Sequence, residues 1–380
     1  MPANLSAAGA SPSAAAPAPN LDQVLHQQMQ SMPDQAFNQA VQELLRGHAV
    51  ELPSIGQIAQ DLLAHKNPID LGHLLSAVAQ QAASGLTGQV RWLGIMLLLA
   101  VLAAFLERLG EATEVEGAVG IARMAVASSV ILVAMRAFTD ALGLVEHLVS
   151  GLVRLMESMI PLVVVLTASS GALASAGIYH PMMLATVNVV AVATRRWVLP
   201  LILMAAVVEV LSEWLPRFSL RQLSLLFRQA GLALLGGLLT LFLGVMAIEG
   251  AAGSVADGLT LRAGKFLMGT FVPVVGKMFS DAMEAILGSS LLLRNSVTLL
   301  GALAIIVAVS LPVIQLFLIM FCYRVAAAAS EPLESGPVTK SLTAMANSIG
   351  WLIAVAGAVG LMFFLMVTVV ATTARGVAGL

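Results

Sequence analysis

Three ionisable side chains in this chain have the types and spacing that chemistry could use. Lys277, Asp281 and Glu284, followed by Gly288, recur every three or four residues, so a helix would place them along one stripe. Lys277 can pair with Asp281, which leaves Glu284 to find Arg294 or water. Because an ionisable group in hydrocarbon is costly unless it is paired or hydrated, the stripe predicts a polar passage or a subunit interface, to which Arg294 and Asn295 would also belong. A solvated interfacial loop is the alternative.

Other charged groups near the stripe have simpler interpretations. Asp257, Arg262 and Lys265 precede it in a segment that resembles an amphipathic interfacial helix, whose basic side chains would reach the membrane surface. His180 is followed by Pro181 and has no second ligand at helical spacing. Packing at a helix end is therefore favoured for this histidine over metal binding or proton transfer.

Enzymatic signatures are missing from the sequence. It contains no HExxH, GxSxG, GxxxxGK[ST] or CxxC motif, and Cys322 is its single cysteine. An internal disulfide and a cysteine-ligated metal site are thereby excluded. We expect no catalytic residues, no metal and no cofactor. The formal charge of −2 and the scattered basic residues give no reason to expect nucleic acid as a partner.

The elements that position these residues must lie in a lipid bilayer. Of 380 residues, 59% are hydrophobic and 11% are charged, which is more apolar surface than a soluble core of this length can bury. The 5% aromatic content and the abundance of Ala, Gly and Leu favour helices. We predict an all-α polytopic membrane protein with about six to eight spans. The candidate windows are residues 92–106, 119–138, 159–178, 197–215, 231–248, 297–322 and 349–371.

Three regions follow one another along the chain. Residues 1–20 are rich in Ala, Ser and Pro and are predicted to be a disordered tail, and they lack the basic start and apolar run of a signal peptide. Residues 21–88 are polar and helix-like, with prolines that divide them into short amphipathic helices near the membrane. Residues 89–380 form the transmembrane domain.

The transmembrane domain shows signs of an internal duplication. Pro161 and Pro273 are 112 residues apart, and Pro200 and Pro312 repeat the same interval. The repeat units would cover residues of about 92–200 and 204–312. Small and polar residues follow the first proline of each unit, which predicts interrupted or re-entrant helices near the bilayer midplane. Ordinary helices packed through small residues explain the pattern equally well.

The stretch from residue 257 to residue 295 resembles the signature segment of the stage III sporulation protein AE family. A second stretch, from residue 156 to residue 183, resembles the corresponding segment of the family's first half. The matching positions in the signature segment are Asp257-Gly258, Lys265-Phe266, Pro273 and Gly276 in FVPVVG, Ser280-Asp281-Ala282, Gly288-Ser289 and Arg294-Asn295. Those in the second stretch are Pro161, Gly171, His180 and Pro181. Arg294 stands where the family usually has lysine, so the positive charge is kept.

The resemblance implies a function. Members are membrane components of a channel complex that connects mother cell and forespore, and they sit in the mother-cell membrane around the forespore. The implied partners are other stage III sporulation membrane proteins of the same operon, including a secretion-type ATPase and ring-forming proteins. We therefore expect a permease-like or platform subunit without catalytic activity. A free-standing secondary transporter and a structural scaffold for the ring proteins are the alternatives.

Overall fold

The structure is a computed structural model, and most of the chain beyond residue 115 is described in it. The described residues are 34–46, 52–64, 66, 116–169, 173–214, 220–271, 276–331 and 336–373, with isolated positions between 72 and 105. For parts of the helices, including residues 249–271 and 276–287, only the backbone is described. The predicted disordered tail, residues 1–20, lies outside the described residues. Only isolated positions of the window at 92–106 are described.

Helices make up almost all of the described part, which contains no strand. Two short helices precede six longer ones, and a π-helical turn, Thr194–Val198, joins α4 to α5 without a break. The α-helices are α1 (Asp34–Leu44), α2 (Ile55–Leu63), α3 (Glu116–Ser169), α4 (Leu173–Ala193), α5 (Leu199–Trp214), α6 (Arg221–Phe271), α7 (Gly276–Ser330) and α8 (Gly336–Thr373).

Five stretches within these helices are long and apolar enough to cross a membrane. The predicted all-α membrane class is therefore confirmed. The stretches are Met124–Ala168, Pro181–Trp214, Arg221–Ile248, Gly288–Ser330 and Gly336–Val369. The windows predicted at 119–138 and 159–178 are not two separate spans, because α3 runs continuously through Pro161 to Ser169. The second window instead combines the end of α3 with the beginning of α4.

Prolines leave different marks on the helices that contain them. Pro161 and Pro312 lie inside α3 and α7 without ending either helix. Pro200 lacks the N–H that would bond the carbonyl of Arg196, and just before it the Leu199 N–H bonds the carbonyl of Thr194, five residues back. The prolines matched by sequence thus differ in local structure, and the duplication stays a prediction.

Helix α7 runs antiparallel to both α3 and α8, and a few contacts fix the register. The Tyr323 hydroxyl of α7 donates to the carbonyl of Ala134 in α3, at 2.5 Å, and Gly301 of α7 packs on the Met159 side chain of the same helix. Residue numbers thus rise along α3 as they fall along α7. Against α8, the Ser330 and Thr339 hydroxyls lie 2.9 Å apart.

The short helices cover one side of the bundle. Helix α1 buries Phe37, Val41 and Leu45 and packs mainly on α3, whereas α2 packs mainly on α7. Ser54 and Gln57 form a reciprocal capping box at the start of α2, which satisfies backbone donors that a helix leaves free at its N-terminus. Among the long helices, α3 and α6 each pack on both α4 and α8. Helices α4 and α8 therefore lie between α3 and α6.

The interior of the described bundle is mostly apolar, although several serines and threonines and one arginine, Arg294, are buried in it. Two of its small cavities are lined by apolar side chains, with Thr186 as the polar exception. The first cavity is bounded mostly by methionines, whose flexible thioethers fill irregular gaps well. They are Met156 and Met159 of α3, Met183 of α4 and Met366 of α8.

Candidate functional site

The first turns of the Gly288–Ser330 span carry an unusual number of buried polar side chains. Ser296 and Thr298 donate to the carbonyls of Leu292 and Arg294, each at 2.8 Å, which satisfies hydroxyls that would otherwise be costly in an apolar surrounding. The buried polar residues of this segment, which we call the Arg294 segment, are Ser289, Ser290, Arg294, Ser296 and Thr298.

Arg294 is the charged member of that segment, and its side chain is 2% exposed. A guanidinium cannot lose its proton in a protein, so its charge is buried with it. Arg294, Ser289 and Ser290 each take part in a polar or electrostatic contact. The antiparallel register places Arg294 near the level of Thr167 in α3, a second buried polar residue. A buried, contacted charge in a span is a functional-site hypothesis by default.

The predicted stripe lies on a single helix. Lys277, Asp281 and Glu284 lie on α7, the helix that also contains Arg294, but their side chains are outside the described residues. The pairing of Lys277 with Asp281 and the polar passage thus stay predictions. Asn295, which is predicted to belong to the same passage or interface as Arg294, is exposed. One residue along a helix turns about 100°, so neighbours can face core and surface.

The other positions matched to the family are spread over four helices. Asp257 and Lys265 belong to α6, and Gly276 is the first residue of α7. Pro161 in α3 and Pro181 in α4 are exposed, and His180 precedes the latter within α4. Pro273 and Gly171 fall outside the described residues. The structure therefore assigns no shared site to these positions.

A second polar cluster lies at the other end of the bundle and was not predicted. The Arg228 guanidinium of α6 pairs with the Glu209 carboxylate of α5, and both side chains are about four-fifths buried, at 17% and 21% exposure. The Ser224 hydroxyl donates to the carbonyl of Ala205 at 3.0 Å and lies 3.5 Å from the same carboxylate. The guanidinium carbon stands 5.9 Å from the ring centre of Trp351 in α8. We call these residues the Glu209 cluster.

Further polar contacts extend this end of the bundle. The Trp214 indole N–H donates to the Ser341 hydroxyl at 3.1 Å, and Lys340 lies 3.8 Å from Glu213. The cluster thus ties α5 and α6 to α8. The sequence did contain a signal for this cluster, since Glu209 is the one acidic residue in the apolar run 197–211. An unpaired carboxylate at the end of a span requires a partner. In the described part of the chain, no three His, Cys, Asp or Glu residues lie together as a metal site would need.

Comparison with known proteins identifies the family. The family model for stage III sporulation protein AE matches residues 54–374, which include all five candidate spans. The chain is 34% identical over 280 residues to the stage III sporulation protein AE of Bacillus subtilis (strain 168), covering 74% of this chain and 70% of that protein. No solved structure matches it. Together with the helical membrane fold and the buried Arg294 of the signature segment, these matches show that the chain belongs to the stage III sporulation protein AE family.

Proposed function

We propose that this protein is a membrane component of the channel complex that connects mother cell and forespore during sporulation. It acts as a permease-like or platform subunit in the mother-cell membrane around the forespore and has no catalytic activity of its own. Its proposed partners are the other stage III membrane proteins of the same operon, among them a secretion-type ATPase and ring-forming proteins.

The extent of the family match carries this proposal. Residues 54–374 contain α2 and every described long helix, so the similarity covers the bundle rather than one motif. Within it, Arg294 lies on the helix that also contains the predicted stripe. A permanently charged, fully buried side chain in a span suits a subunit that handles polar solutes or docks a polar partner in the membrane.

Complementation tests the proposal. A Bacillus subtilis strain that lacks its own stage III sporulation protein AE should regain heat-resistant spores when this chain is expressed in the mother cell. Arg294→Lys should keep most of that activity because the charge is kept, whereas Arg294→Met should lose at least tenfold in spore yield. Ile306→Val is the control, a mild change at an exposed apolar position further along the same helix, and should have no effect.

The alternatives give different results in the same system. Spores at the level of the empty vector, with the chain present in the membrane at normal amount, would overturn the proposed role. Uptake of a small solute by purified monomers in liposomes would instead indicate a free-standing transporter. Full function of Arg294→Met would exclude a role for the buried charge and leave the scaffold as the better explanation.

A further inference from the structure

One helix of the bundle is polar where its neighbours are apolar. Between residues 136 and 157 of α3, every exposed side chain is charged or polar. Arg136 and Asp140 form an ion pair one turn apart, at 3.7 Å. We call these residues the charged face of α3. They are Arg136, Thr139, Asp140, Glu146, His147, Arg154 and Glu157.

The charged face lies at the depth of the membrane. The contacts of Tyr323 and Gly301 place residues 136–157 of α3 at about the level of residues 301–322 of α7. That stretch of α7 has no ionisable group but Cys322 and is about 33 Å long, which matches the hydrocarbon layer. Its exposed side chains are Ile306, Phe317 and Phe321. Two faces of one bundle thus expose opposite chemistry at one depth.

Neighbouring elements extend the polar surface. Glu43 of α1 lies 3.8 Å from Arg154, and Leu44 packs on Gly151, so α1 sits on α3 in the middle of this level. Apart from Ala36, its exposed side chains are polar and include Gln39 and Gln42. On the other flank, Arg195 of the π-helical turn donates to the Ser150 hydroxyl at 3.1 Å.

Exposure of these groups to lipid would be costly. A charged side chain at the centre of a bilayer costs about 3 kcal/mol on insertion scales, and such residues normally face a bundle interior or a water-filled cavity. The charged face cannot turn inward within its own bundle, because the buried side of α3 carries apolar residues such as Leu152 and Met156. Water or protein must therefore cover it.

We infer that the charged face of α3 lines an aqueous passage that is enclosed by further copies of this chain. Helices α4 and α8 separate α3 from α6, whose residues 229–248 contain no charge and expose leucines to lipid. A closed ring of copies would therefore place α3 towards its axis and α6 towards lipid. The charged face together with Glu43 and Arg195 contains three arginines and four carboxylates. Because these charges nearly balance, adjacent copies would not strongly repel one another.

The inference rests on the proposed conduit role and names the surface that performs it. Cysteine labelling tests it, because Cys322 is the single cysteine and is buried. In a Cys322→Ala background, Thr139→Cys and Glu157→Cys report on the charged face. Phe317→Cys and Ile306→Cys are controls at about the same two levels on α7. A charged methanethiosulfonate reagent reacts with the thiolate, which forms in water.

In the full-length chain in membranes open to the reagent on both sides, the two α3 cysteines should react at least tenfold faster than the two α7 controls. A bifunctional thiol reagent should link two copies through Thr139→Cys and not through Phe317→Cys. Equally slow labelling at all four positions would overturn the aqueous face. Fast labelling without linked copies would overturn the ring of copies and assign the opposite wall to another protein.

The labelling result is independent of the proposed role in sporulation. Spore formation with an unreactive α3 face would overturn this inference alone. A reactive, cross-linked face in a chain that never restores spores would overturn the proposed function and leave the passage standing. The Cys322→Ala parent should restore spores as well as the unaltered chain does, which confirms that the background is intact.

Discussion

Removal of one partner from the Glu209 cluster should destabilise the end of the bundle where α5, α6 and α8 meet. Glu209→Gln keeps the shape of the side chain but leaves the Arg228 guanidinium, 17% exposed, without its counter-charge. Breaking a largely buried pair in this way costs about 3 kcal/mol. That energy corresponds to roughly a 150-fold rise in the unfolding equilibrium constant.

A second ion pair at the same end serves as the control. Glu213 and Lys340 are 3.8 Å apart, and the lysine side chain is 68% exposed, so solvent screens the pair. Glu213→Gln should cost about 1 kcal/mol or less. The free energy of unfolding of each variant, measured by denaturant titration in mixed micelles, gives the comparison directly.

The double variant separates pairing from packing. If the cost comes from an unpaired charge, Glu209→Gln with Arg228→Gln should lose less than the sum of the two single variants by at least 1 kcal/mol. Additive losses, or a loss for Glu209→Gln no larger than that for Glu213→Gln, would refute the reasoning. Trp351 would then hold the guanidinium without help from the carboxylate.

Two further predictions concern helix packing. A Cβ at Gly360 would lie 2.6 Å from the Val309 side chain, so Gly360→Ala should lower the free energy of unfolding by about 1 to 3 kcal/mol. Gly357 is about one turn away and faces open space, so Gly357→Ala should raise the free energy of unfolding by up to about 1 kcal/mol. Denaturant titration of both variants checks this, and equal effects would contradict the close approach of α7 and α8. Tyr323→Phe should cost about 1 kcal/mol in the same assay, because it removes the buried hydroxyl that donates to the carbonyl of Ala134 in α3.

The membrane class was readable from sequence because it depends on composition and run length alone. Residues 231–248 and 349–371 were placed correctly within α6 and α8, since both runs are long and uncharged. Helix α3 was harder to predict. Its charges break the apolar run and Pro161 suggests an interruption, yet packing on α4, α7 and α8 keeps it helical for 54 residues.

The sites depended on information that one sequence lacks. Burial of Arg294 beside exposed Asn295 follows from the rotation of α7, which neighbouring helices set. The pairing of Glu209 with Arg228 requires that α5 and α6 pack antiparallel, and no local pattern reports that geometry. Motif resemblance, by contrast, identified the family because it depends on residue identity and order rather than on contacts.

The apolar interior at the level of Met159 and Met183 limits where a conduit through this protein could run. At the level of Met159 and Met183, described side chains between α3, α4 and α8 are apolar, so a solute passing there would lose its hydration without gaining partners. The charged face of α3 places exposed charged and polar side chains on the outside of the same bundle. A single copy would therefore conduct little through its described interior. Conduction should depend on assembly, and purified monomers in liposomes should carry no solute until copies associate.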